Sequence, residues 1–156
     1  MIKEDINDPA LGWSKYGEQK EKNGMGFIMW QRPYENGVKI NKSESVMRGV
    51  SVQAFRQLMQ SLDKQMSEAK HVKEFKILER REDGAPKVMY SRSKMPFMSE
   101  REALMETSER KITDKKYAFV SKSIERDDVP IHPGAIRMNM FRASEVEEVD
   151  KDLKMT

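Results

Sequence analysis

The sequence predicts an α+β fold dominated by antiparallel strands, and three observations carry that expectation. Strand-like runs follow one another through residues 86 to 150, as KVMYSRSKMP, REALMETSERKI, KYAFVSKSIER and AIRMNMFRASEVEEVD, joined by short polar connectors. An Asn36-Gly37 pair separates two further β-rich runs, which is a strong short-range hairpin signal. Between these regions Val52, Phe55, Leu58, Met59, Leu62 and Met66 recur at the spacing of one helical face.

In chain order, residues 1–23 read as a polar, partly helical segment, with Trp13 and Tyr16 three apart and able to dock it onto the body. MGFIMWQRP (25–33) and VKIN (38–41) are the hairpin strands, and SVMRGV (45–50) reads as a third. Ser51 is a good N-cap for the helix that follows. HVKEFKILERRE (71–82) returns to strand, Asp83-Gly84 makes a turn, and the C-terminal block begins. The layout is three strands, a helix and five strands, with the strands consecutive and antiparallel. One helix cannot cover so large a sheet. Another element, a ligand or further sequence must bury the open face.

Composition narrows the class. At 156 residues the chain is read as one domain, and its 13 methionines supply an adaptable apolar interior. Lys and Arg number 29 against 26 Asp and Glu, and the signs alternate along the chain. Nucleic acid is therefore not an expected partner, because that footprint needs cations gathered on one face. The absence of cysteine excludes disulfides and thiolate chemistry and fits a reducing, cytoplasmic location. MIKEDINDPALGW lacks the basic and apolar regions of a signal peptide, and no apolar window is long enough to span a bilayer.

Catalytic constellations are missing. His71 and His132, the only two histidines, are some sixty positions apart, and no metal is expected. No G-x-S-x-G elbow exists, and Asn23-Gly24-Met25-Gly26 opens a strand, not a phosphate-cradling helix. The acidic run Glu145, Glu147, Glu148 and Asp150 has no apolar setting to raise a pKa. The chain reads as a non-enzyme without a cofactor. What stands out is that Arg92, Ser121 and Arg137 occupy strand faces that should be partly buried.

From residue 72 onward VKEFKILE, VMYSRSKMPFMSERE and FVSKSIERDDVPIHPGAIRMNMFRASEV follow one another in an order that resembles the START domains, lipid-transfer modules related to the steroidogenic acute regulatory protein. VKEFKILE (72–79) is similar to the family's strand after its first long helix. VMYSRSKMPFMSERE (88–102) is similar to its strand, Pro-aromatic step and Ser-x-Arg-Asp turn, with Glu102 in place of the final Asp. FVSKSIERDDVPIHPGAIRMNMFRASEV (119–146) resembles the strand, long polar loop and Ile-Arg strand. Trp13, GFIMWQRP and SVQAFRQLMQSLD are compatible with the first half. The chain departs from the pattern at Gln65-Met66-Ser67-Glu68, where a Trp-Asp is usual, and at LKMT (153–156), where a further strand would be starting.

The resemblance implies a helix-grip fold, a curved antiparallel sheet with a long helix around a lipid tunnel. Residues 24–156 would form a START-like lipid-binding domain lacking its C-terminal strands and closing helix. It also implies that Glu79, Tyr90, Arg92, Ser121 and Arg137 line the tunnel. Two inward arginines would favour an anionic group, hence a phospholipid over a sterol, with transient contact at a membrane surface. Two other functions share this shape: a regulatory or protein-interaction domain that holds no lipid, and a helix-grip cyclase or hydrolase.

Overall fold

A computed structural model describes residues 11–156, which divide into two compact units. One comprises Val146–Thr156 with the chain up to Ser51, and the other is Val52–Glu145.

In the first unit β1 (Ser14–Lys22), β2 (Met25–Pro33) and β3 (Lys39–Met47) form an antiparallel meander, and β10 (Asp152–Met155) pairs with β3. The β2–β3 hairpin turns where Asn36-Gly37 predicts. Both residues take left-handed φ values of 57° and 76°, which Asn and Gly adopt at least cost. The expected strands 38–41 and 45–50 are one continuous strand, because every residue from Lys39 to Met47 pairs with β2. The helical reading of the N-terminal segment is corrected over 14–22, which is a strand, while residues 1–10 lie outside those described. SKYGEQKEK lacks a period-3.6 apolar stripe and is closed by an Asn23-Gly24 turn, so cross-strand pairing with β2 decides its state. The expected boundary at residue 23 therefore falls inside a hairpin. Trp13 and Tyr16 do dock: the Arg32 guanidinium lies 5.2 Å over the Trp13 ring, and Tyr16 contacts Met29. Val146 and Leu153 are fully buried, and Asp152 fixes the strand end through Arg48 and the Gly49 amide.

The second unit opens with α1 (Val52–Gln60) and α2 (Leu62–Ser67), where the apolar stripe suggests a single helix. The chain breaks at Ser61, whose backbone leaves the helical region and whose hydroxyl bonds back to the Leu58 carbonyl. Strands β4 (Val72–Arg80), β5 (Pro86–Ser93), β6 (Glu100–Thr113) and β7 (Lys116–Ser123) then form an antiparallel meander. The predicted strand 135–150 is interrupted. β8 (Ala135–Arg137) pairs parallel with the start of β6, and the chain resumes as β9 (Phe141–Val149), which runs on into the first unit and pairs with β10. Val88, Tyr90 and Leu104 form the buried core of this unit, with Leu78, Ile124 and Val129 packed against them. Each such fully buried side chain contributes roughly 1.5–3 kcal/mol.

Candidate functional site

Side chains alternate across a strand, so the register of β5, β6 and β7 assigns each polar residue to a face. Tyr90 lies opposite Leu104 and Arg92 opposite Glu102, which places these four on one face. Thr107 lies opposite Ser121 and Glu109 opposite Phe119, on the other.

The Tyr90 face is closed. Residues 124–134 cross it, with Ile124 and Val129 on the core and the His132 amide donating to Glu102 Oε2 at 3.2 Å. Glu102 is completely buried and fully partnered. Arg137 Nε donates to its Oε1 at 2.7 Å, and the Tyr90 hydroxyl donates to Oε2 at 2.9 Å. Arg137 also donates to the Val129 carbonyl at 3.1 Å, so one guanidinium ties the loop to the sheet. Burial by itself pushes the Glu102 carboxyl up. The hydrogen bonds from Arg137, Tyr90 and the His132 amide outweigh it and hold the group below the usual carboxylate range. Burial and the neighbouring carboxylate raise the Tyr90 phenol to about 12. Beside this triad Arg92 donates to Glu100 at 2.7 Å and to Glu74 at 3.2 Å. Glu79, half-exposed, accepts from Lys87 at 3.1 Å and from Arg126 at 2.6 Å.

The opposite face is built differently. Thr107 and Ser121 share a hydrogen bond of 2.9 Å, and Thr107 is buried. Farther along, α1 packs on this face: Phe55 meets Phe119 edge-on at 6.0 Å, and Arg56 lies 4.8 Å over the Tyr117 ring. Arg56 and Arg81 clamp the two oxygens of Glu109 at 2.8 and 2.6 Å, and Arg56 reaches Asp83 at 2.9 Å. An open groove of about 540 Å³ is lined by Arg81, Lys87, Glu106, Thr107, Ser108, Glu109, Val120 and Lys122, of which Glu106, Ser108, Val120 and Lys122 belong by register to the Tyr90 face. Its cations are already answered, Lys122 by Glu106 at 3.5 Å and Lys87 by Glu79. Toward the other end of the face, Ser91 opposes Ala103, Ser93 opposes Arg101 and Ser123 opposes Met105. Apart from Arg101 and Met105, this stretch is a floor of small and hydroxyl side chains.

The five residues expected to line one cavity therefore do not converge. Tyr90 and Arg137 meet through Glu102, Arg92 is on their face with two carboxylates of its own, Glu79 bonds to the cations of β5 and the loop, and Ser121 stands on the opposite face. Arg137 pairs with Glu102. Glu102 was the residue to find. Its signal was the Ser99-x-Arg101-Glu102 turn, whose acid sits in register with Arg137.

The turn before β6 exposes apolar surface. Met95, Phe97 and Met98 are exposed, Phe97 fully so, and the Met98 amide closes the turn on the Met95 carbonyl at 3.3 Å. Phe97 has φ 62°, at the position of a Pro96-initiated turn that usually takes Gly or Asn. Among the described residues no group of three or more His, Cys, Asp or Glu could hold a metal, and no helix is long and apolar enough to cross a membrane.

Comparison with known proteins places this arrangement among solved folds. No family model matches the sequence, and no curated protein matches it. Solved structures do. Human STARD10 superposes with a TM-score of 0.66 over 99% of this chain and 66% of its own, at 14% identity. Human StAR-related lipid transfer protein 5 gives 0.60 over 96% of this chain and 71% of its own, at 17% identity. A STAR-related lipid transfer protein fragment from Xanthomonas axonopodis gives 0.62 over 93% and 81%, at 14% identity. The chain spans about two thirds of the STARD10 structure. Its fold is the α+β helix-grip fold of these lipid-transfer proteins, with two short helices where one long one was expected.

Proposed function

We propose that this chain is a START-like, non-enzymatic lipid-binding module that takes a phospholipid in preference to a sterol. The observation that carries the reading is the structural likeness to StAR-related lipid transfer proteins over nearly the whole chain. Of the five residues singled out in the sequence, we assign direct ligand contact to Ser121, on the face whose floor is small and hydroxyl-rich. Tyr90, Arg92 and Arg137 are assigned a supporting part. Their polar groups are answered by Glu102, Glu100 and Glu74, and freeing an ion-paired guanidinium for a ligand would leave a partly buried carboxylate unpaired. Met95, Phe97 and Met98 form the surface that meets the membrane, because a fully exposed Phe on a constrained turn can enter the apolar boundary of a bilayer without unfolding anything.

Extraction of the purified protein and mass spectrometry of what co-purifies is the direct test. Stoichiometric phospholipid is expected, and it should be exchangeable with phosphatidylcholine vesicles. Protein that stays lipid-free after incubation with such vesicles, while remaining folded, would refute the reading in favour of an interaction domain of the same shape.

A further inference from the structure

On the stretch of the Ser121 face where β5, β6 and β8 meet, Arg101 is a charge without an answer. Its cross-strand neighbours are Ser93 on β5 and Ile136 on β8, and its own strand places Ala103 next on that face. The Arg101 Nη1 atom is buried and has no hydrogen-bond partner, and no carboxylate of the described residues reaches the guanidinium. The contrast with its neighbours is sharp. Arg92 has Glu74 and Glu100, Arg137 has Glu102, Arg56 and Arg81 share Glu109, and Arg126 has Glu79 and Asp128. The nearest acids in sequence, Glu100 and Glu102, alternate onto the opposite face and are committed to Arg92 and Arg137. A buried guanidinium donor with no acceptor is costly unless something supplies one. A planar guanidinium flanked by serine hydroxyls suits a tetrahedral oxyanion, which it can bind through two parallel N–H donors.

We propose that Arg101 receives the phosphate of the bound phospholipid, with Ser93 and Ser91 as neighbouring hydroxyl donors. The proposal rests on the lipid-binding reading above and adds to it the residue that sets headgroup choice. The pairing pattern assigns this role to Arg101 rather than to Arg92 or Arg137, because only an uncommitted guanidinium gains from the ligand's charge without abandoning a carboxylate.

The test titrates the full chain with three probes: dihexanoyl-phosphatidylcholine, the phosphate-free dihexanoyl-glycerol, and inorganic phosphate. Arg101→Gln should weaken phosphatidylcholine by about tenfold to a hundredfold, the range of a charge-assisted hydrogen-bonded contact, and leave dihexanoyl-glycerol unchanged. Arg101→Lys should fall between, and Arg142→Gln, an exposed arginine elsewhere, should match the wild type. Thermal melts of the three variants should be no lower than that of the wild type, since no internal ion pair is lost and the buried donor is costly without its ligand. Unchanged phosphatidylcholine affinity in Arg101→Gln overturns the proposal, as does an equal loss for dihexanoyl-glycerol. Inorganic phosphate binding at Arg101 as tightly as the phospholipid also overturns it and leaves a free-anion site. Wild-type protein that takes up neither lipid refutes the lipid-binding reading itself, an outcome separate from the others.

Discussion

Glu102 has three partners, and each ties a different piece of chain to β6: Tyr90 from β5, Arg137 from β8 and the His132 amide from the loop. Its carboxylate is completely buried, so its charge is tolerable only while Arg137 answers it. Glu102→Gln leaves the Arg137 guanidinium uncompensated in the same enclosure, and a cost of about 3–5 kcal/mol is expected. Urea denaturation of the variant measures it. Replacing both partners by apolar residues, as in Glu102→Leu with Arg137→Met, should recover much of the loss. Local sequence could show that Glu102 and Arg137 are polar residues on buried strands. It could not show that they face each other, because that depends on a parallel pairing formed after an eleven-residue excursion over the sheet.

At the scale of elements, the turn between β5 and β6 separates stability from function. Phe97 adopts φ 62°, which costs an L-residue with a bulky side chain about 1–2 kcal/mol, and its exposed ring returns nothing through burial. Phe97→Gly should therefore leave the melting temperature no lower than wild type while reducing sedimentation with phosphatidylcholine–phosphatidylserine vesicles severalfold. A drop in stability would mean that the ring packs, and undiminished vesicle binding would remove this turn from the membrane contact. The same scale shows where periodicity misleads. The stripe from Val52 to Met66 has helical spacing throughout, yet Ser61 bonds to the carbonyl three residues back and divides it into α1 and α2. β1 carries almost no apolar signal and exists because β2 offers it a ladder. The hairpin at Asn36-Gly37 was legible for the opposite reason: its left-handed φ values are a property of those two residues, whatever surrounds them.

Across the whole molecule, carboxylates are held ionised by cations. Hydrogen bonds from Lys76, Lys87, Arg92, Arg126 and Arg48 depress Glu74, Glu79, Glu100, Asp128 and Asp152 respectively, and Glu102 joins them from its buried site. Each binds its proton less readily in the folded chain than in the unfolded one. As pH falls, the unfolded state takes up more protons, so the stability these pairs supply is present above the ordinary carboxylate values and drains away below them. Stability should be level near neutrality and decline from about pH 4.5 downward, read as the urea midpoint at successive pH values. A midpoint that rises on acidification would contradict the sign. The sequence by itself determined the class of this protein: strand-rich, α+β, with turns at Asn36-Gly37 and Asp83-Gly84 and polar groups on buried strands, since periodicity and turn chemistry are local properties of the chain. Only the tertiary structure decided which polar groups are spent and which are free. Register sends Arg92 and Arg137 to a face where Glu74, Glu100 and Glu102 answer them and Arg101 to the opposite one, where Glu109 is already held by Arg56 and Arg81, and a one-residue step along a strand is enough to make that difference.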